Sequence, residues 1–182
     1  MKEKFTVTKL CKMGMLVALA IVFVAIVHIP IIPSVPFLEY DPADIPILLG
    51  TFAFGPAIGL LLTIVTSFLQ GWTVSAQSGI YGIIMHIIAT GVLTIVSGSI
   101  YRYRKEKTKK HAIIGLVIGS ISMVIVMIFA NLLVTPHFMG INREAIWALM
   151  PGIVLFNFLK AGINSIVTFL VYKRVSPFLH KN

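Results

Sequence analysis

The sequence predicts an all-α integral membrane protein, and three observations carry that prediction. Of 182 residues, 58% are hydrophobic, and mean hydropathy is +0.98. Charged residues make up only 12%, about half the roughly 25% usual in soluble domains. The apolar residues fall in long continuous runs, not in the alternation of a membrane β-barrel. A soluble fold of this length has too little interior to hide them.

The first run, near 13–29, follows the basic stretch from Lys2 to Lys12. It continues to Val27 with no small-residue cleavage site behind it, so it reads as a retained first helix rather than a signal peptide. Gly14 and Ala18 give it a GxxxA spacing, which permits close approach of another helix, within the chain or from a partner. The second run, 45–71, would be about 40 Å long as one straight helix. "FGPAIG" (Phe54 to Gly59) interrupts it, and Gly-Pro is a strong helix breaker. The runs 79–101, 112–134 and 147–172 each supply the ~20 residues that a span needs.

Charge placement sets the topology. Thirteen of the fifteen Lys and Arg lie in three blocks, Lys2 to Lys12, Arg102 to Lys110 and Lys173 to Lys181. The positive-inside rule puts all three in the cytoplasm. An even number of crossings must then separate the first block from the second. Two short helices, near 45–54 and 57–70 and hinged at Gly55-Pro56, satisfy this; a re-entrant hairpin that does not fully cross is the alternative. The expectation is one membrane domain over residues 1–182, with six transmembrane helices and both termini cytoplasmic, in the plasma membrane. The net charge of +9 does not indicate nucleic acid, because no basic block adjoins a stacking platform. The blocks suit anionic lipid at the bilayer surface instead. Cys11 is the single cysteine, which rules out an intramolecular disulfide and a Cys-based metal motif.

This topology leaves loops 30–44, 71–78 and 135–146 outside. The first contains most of "FLEYDPADIP", residues 37–46, with three of the six acids: Glu39, Asp41 and Asp44. Its charge keeps the loop on the outer side. Asp44 is placed to N-cap the second helix, with Pro46 in the first turn.

Polar residues inside the spans point to function. Lys160 sits mid-way along the last helix, where a lysine costs ~2.5–3.5 kcal/mol on insertion scales. Such residues face a cavity or pair with an acid. Asn157 and Asn164 share its helical face, to bind a ligand or to hydrogen-bond between helices. Asn131, near the outer end of the fifth helix, lines the same cavity or caps the helix. Amides, an amine and an acid suit a neutral ligand rich in carbonyls and ring nitrogens. Gln70, Trp72, Thr73 and Gln77 crowd the second outer loop, and Phe37, Tyr40, Tyr81 and Trp147 lie near the same surface. These aromatics form an interfacial belt or the wall of a slot for a flat ring. His28, His86 and His137 lack metal-site spacing, and no nucleophile or nucleotide-binding motif is present. No catalytic residues, metal or cofactor are expected, and the chain reads as a non-enzyme. Any active transport then draws energy from a partner or an ion gradient.

"EYDPADIPILLGTFAFGPAIG" after a first helix, and "NFLKAGINSIVTFLVYK" in the last, resemble the riboflavin-specific substrate-binding (S) components of energy-coupling factor (ECF) vitamin transporters. The resemblance spans essentially the whole chain, with "DPADIP…FGP" its most specific part. It implies a high-affinity riboflavin binder that does not hydrolyse ATP and works with a transmembrane coupling subunit and two cytoplasmic ATPases. The substrate would sit in the outer half of the membrane under the first loop. Glu39 and its neighbour Tyr40, with Gln77, Asn131, Lys160 and Asn164, are the implied contacts, and "FLEYDPADIP" reads as a lid. In the family an AxxxA motif on the first helix docks on the coupling subunit; Gly14 and Ala18 are its nearest match here. A stand-alone secondary transporter for a similar solute is the alternative reading.

Overall fold

The computed structural model describes residues 6–103 and 108–180. The basic residues Lys2, Lys4, Arg104, Lys105, Lys107 and Lys181 lie outside the described residues. Helix α1 spans Val7–Ile26, α2 Asp44–Phe54, α3 Pro56–Trp72, α4 Gly79–Tyr103, α5 Lys109–Met139 and α6 Arg143–His180. A short antiparallel ladder, β1 Ile29–Pro30 with β2 Glu39–Tyr40, closes the segment between α1 and α2. A 3-10 turn at Ala76–Ser78 precedes α4.

The six-helix expectation holds. Helices α1, α4, α5 and α6 are each long and apolar enough to cross a membrane, and α2 and α3 are the shorter apolar pair. The break falls at Gly55-Pro56. Gly55 has φ 101°, a backbone region L side chains avoid, and Pro56 opens α3, where its missing N–H leaves no bond unmade. The two short helices fold back on each other as a hairpin: Gly50 packs on Leu62 and Gly59 on Thr51. With 11 residues, α2 is only about 16 Å long, half of a ~30 Å hydrocarbon core. The irregular backbone of residues 27–43 continues its path. Val35, Asp41 and Ala43 anchor it in the interior, while Ile29, Pro30, Pro33, Ser34 and Pro36 stay exposed.

Close helix contact elsewhere depends on small residues. A Cβ on Gly115 of α5 would lie 2.8 Å from the Ser97 carbonyl oxygen of α4, and one on Gly119 3.1 Å from that of Leu93. Substituting either forces the pair apart. The interior holds an apolar cluster around Leu93, Leu116 and Met123, a second around Leu16, Ile47 and Leu62, a third in which Val35 of the first loop packs on Ile146, Met150 and Ile153 of α6, and a small fourth of Ala20, Val24 and Ala43 with Val74 against it.

Two expectations are corrected. The loop expected at 135–146 contracts to residues 140–142, because α5 runs on to Met139 and ends on Gly140 in the left-handed conformation. Asp44 is not a capping side chain. It is the first residue of α2 and is fully buried; the flanking Ala43 takes the cap position, and its N–H is bonded by Asp41 Oδ1 at 3.1 Å. Tertiary partners take the Asp44 carboxylate instead.

Candidate functional site

Between the first loop, the end of α3, the start of α4 and the middles of α5 and α6 lies a cavity. Its empty volume is about 950 Å³, a figure that includes the open space at its mouth. Met85, Ala89, Met123, Met127 and Phe156 give it apolar walls. Lys160 and Asn157 of α6 and Asn131 and Thr135 of α5 supply one polar face, and Gln70 of α3 and His86 of α4 another. Glu39, Asp41 and His28 stand on the loop side.

Lys160 is both cavity wall and ion-pair partner. Its Nζ lies 2.7 Å from Asp41 Oδ2, with both side chains 9% exposed. An ammonium carries three donors, of which this contact uses one. Behind the pair lies a second layer. Asp44 Oδ1 accepts from Thr90 Oγ1 at 2.6 Å, and Asp44 Oδ2 from Asn164 Nδ2 at 2.9 Å. His86 Nε2 lies 3.6 Å from Asp44 Oδ1, and its Nδ1 2.7 Å from Ser67 Oγ. The floor of the cavity is thus a network joining the first loop, α2, α3, α4 and α6. Its charges are compensated by partners rather than water, the only inexpensive way to keep them in an apolar interior.

Of the six residues singled out as ligand contacts, Glu39, Asn131 and Lys160 line the cavity. Asn131 is not near the helix end, since α5 extends two turns beyond it. Its Nδ2 donates to the Met127 carbonyl, and its Oδ1 accepts from Thr135 Oγ1, both at 2.8 Å. Asn164, Tyr40 and Gln77 lie outside the lining. Asn164 is fully buried; besides Asp44 it donates to the Asp41 carbonyl at 3.2 Å, and its Oδ1 accepts from Tyr40 Oη at 2.8 Å. Tyr40 and Asn164 therefore tie the loop to α6. Gln77 bridges the mouth: its Nε2 donates to Glu39 Oε2 at 3.2 Å, the atom that also faces His28 Nε2 at 2.7 Å.

The aromatic set divides. Phe37 and Tyr81 line the cavity, and Tyr81 packs on Phe138 with ring centroids 5.7 Å apart. Trp72 and Trp147 are exposed on the outside of the bundle, as the residues of an interfacial belt would be. Sequence reasoning missed Asp41, Gln70, His86 and Thr135 as wall residues. A signal existed for Gln70: its spacing from Thr63, Thr66 and Ser67 makes a polar stripe along α3, and all four are buried. Gly14 and Ala18 face outward from α1, and among the described residues nothing lies within 4 Å of where a Gly14 Cβ would sit.

Comparison with known proteins agrees with this architecture. The family described as ECF transporter, substrate-specific component, matches residues 8–172. The riboflavin transporter RibU of Staphylococcus aureus (strain TCH60) is 31% identical over 183 residues, 95% of this chain and 93% of that protein. The riboflavin transporter FmnP of Bacillus subtilis (strain 168) is 25% identical over 185 residues, 96% of this chain and 95% of that protein. A solved structure of the S component of a bacterial ECF transporter superposes with a TM-score of 0.80 at 32% identity, over 95% of this chain and 98% of that one. Likeness of sequence and of fold runs along almost the entire bundle, loop and cavity included, and the chain belongs to the substrate-specific components of ECF transporters.

Proposed function

We propose that this chain is the high-affinity riboflavin-binding subunit of an ECF-type vitamin uptake transporter. The observation that carries the reading is the chemistry of the cavity. Met and Phe side chains offer apolar faces to a flat ring, while Lys160, Asn131 and Asn157 offer donors and acceptors at its edge. A flavin has that character: an apolar tricycle, a pyrimidine edge of carbonyls and one N–H, and a hydroxylated chain. Glu39 at the mouth is an acceptor for hydroxyls. The relatives named above as riboflavin transporters support the choice of ligand. Riboflavin is the cargo, and no cofactor or metal is required for binding it.

The bound ligand sits in the outer half of the bilayer. The described basic residues Lys9, Lys12, Arg102, Lys109, Lys110, Lys173 and Arg174 fall in segments that the positive-inside rule assigns to the cytoplasm, with both termini. The six helices act as one membrane domain. Energy comes from partners, a transmembrane coupling subunit and two cytoplasmic ATPases. The outward Gly14 and Ala18 surface of α1 is the face offered to the coupling subunit, since both residues are exposed and no described residue packs on Gly14.

Detergent-purified protein titrated with riboflavin tests the reading, by quenching of flavin fluorescence. Saturable one-to-one binding is expected, with no uptake into liposomes holding this subunit alone. Absence of binding refutes the ligand. Uptake without ATPase partners refutes the subunit role and favours a secondary carrier.

A further inference from the structure

Three buried side-chain atoms have no hydrogen-bond partner among the described residues: Thr66 Oγ1, Thr168 Oγ1 and Gln70 Oε1. Of these residues, only Gln70 lines the cavity. Its backbone is fixed: the Gln70 carbonyl accepts from the N–H of Thr73 at 3.2 Å and of Ser75 at 2.8 Å, closing the end of α3. The next residue, Gly71, packs directly on Ile83 of α4. A tightly held backbone thus presents a carboxamide, 6% exposed, whose oxygen the protein leaves unsatisfied. Buried amide oxygens are rarely left so, because desolvation without a partner is costly. A half-turn of the carboxamide exchanges its oxygen and nitrogen, so the group can present an acceptor beside a donor.

We propose that Gln70 is a ligand-reading residue of this cavity, its carboxamide accepting a hydrogen bond from an N–H or O–H of the bound flavin. This rests on the riboflavin reading above and extends it. Lys160, Asn131 and Asn157 come from α5 and α6; Gln70 adds a polar contact from α3. A carboxamide fits an imide edge in the way it fits a base edge, with oxygen to N–H and N–H to the adjacent carbonyl. A ribityl hydroxyl supplies the same donor.

The test replaces Gln70 with Met, which has similar length and no acceptor of comparable strength. Since the oxygen has no protein partner, Gln70→Met leaves thermal stability unchanged or raised, unlike removal of a structural hydrogen bond. Riboflavin binding falls roughly ten- to a hundredfold. Two analogues locate the donor: lumiflavin keeps the ring without the ribityl chain, and imide-methylated riboflavin keeps the chain without the ring N–H. If the ring is read, Gln70→Met weakens lumiflavin equally and leaves the methylated analogue unaffected; if a hydroxyl is read, the pattern reverses. Either pattern supports the proposal. Wild-type protein that binds riboflavin, with Gln70→Met binding it equally well, overturns the proposal alone. Wild-type protein that does not bind riboflavin overturns the functional reading, and this one with it.

Discussion

Replacing Lys160 with Met separates the ion pair seen in the structure from the ligand contact proposed above. At 2.7 Å from Asp41 Oδ2, the pair has a gross attraction of about 6 kcal/mol at an effective dielectric of about 20. Desolvating both ions cancels much of this. What the substitution exposes is the asymmetry: Asp41 is left as a buried carboxylate without its cation, beside the fully buried Asp44. Breaking one side of such a pair costs ~3–5 kcal/mol. Neutralising the other side as well, in Lys160→Met with Asp41→Asn, recovers most of the loss, because neutral groups need no counter-charge. Denaturant unfolding of the detergent-solubilised protein measures the stability term, and riboflavin titration measures binding. The single variant is expected to lose ~3–5 kcal/mol and the double variant to return to within about 1 kcal/mol of wild type. Binding stays at least roughly tenfold weaker in both, because the lost donor to the ligand is not restored. A double variant whose destabilisation equals the sum of the two single ones refutes the ion-pair argument. Full recovery of binding in the double variant refutes the ligand contact and leaves Lys160 a purely structural cation.

Glu39→Ala is expected to raise the riboflavin off-rate about tenfold in stopped-flow release, whereas Glu39→Gln, which keeps an acceptor for Gln77, changes it little. Gln77→Ala raises the off-rate in the same direction although Gln77 is not part of the cavity wall; an unchanged rate refutes the bridge across the mouth. Gly14→Trp and Ala18→Trp abolish riboflavin uptake in cells and leave binding by the purified protein intact; loss of binding in parallel shows instead that this face of α1 supports the fold.

The legible parts of this molecule are those where one residue's own physics decides. Gly55-Pro56 could be read as a hinge because a positive φ and a missing N–H act locally. Lys160 stood out because a charge in an apolar span needs a reason, whatever surrounds it. Asp44 was misread because an acid ahead of an apolar run looks like a cap. What overrides that is three-dimensional: Thr90 and Asn164 lie 46 and 120 positions along the chain. Asn164 shares a helical face with Lys160, yet one turn further along α6 it meets loop and α2 groups instead of the cavity. The ends of α5 and α6 were set short because hydropathy detects the lipid-facing portion of a helix, and both run on in more polar sequence. Gln70 and His86 were not assigned to the cavity wall because spacing rules test for metals and motifs, while a cavity wall is assembled from single residues of many helices.

The first loop has two unequal attachments, and this bears on how the cavity opens. Val35 packs against Ile146, Met150 and Ile153 of α6, and Ser34 lies against Gly152. Tyr40 and both the carboxylate and the carbonyl of Asp41 are bonded to Asn164 and Lys160, also of α6. Toward the connector before α4, the described residues offer one exposed hydrogen bond, Glu39 to Gln77, and the packing of Val74 on the small cluster of Ala20, Val24 and Ala43. The loop is thus part of the doorframe: it rides with α6, and its motion relative to that helix would break a buried ion pair. The seam along residues 73–78 is held by fewer polar contacts than the one along α6. Opening the mouth on the side of the short connector, rather than on that of the acidic loop, therefore breaks no buried ion pair.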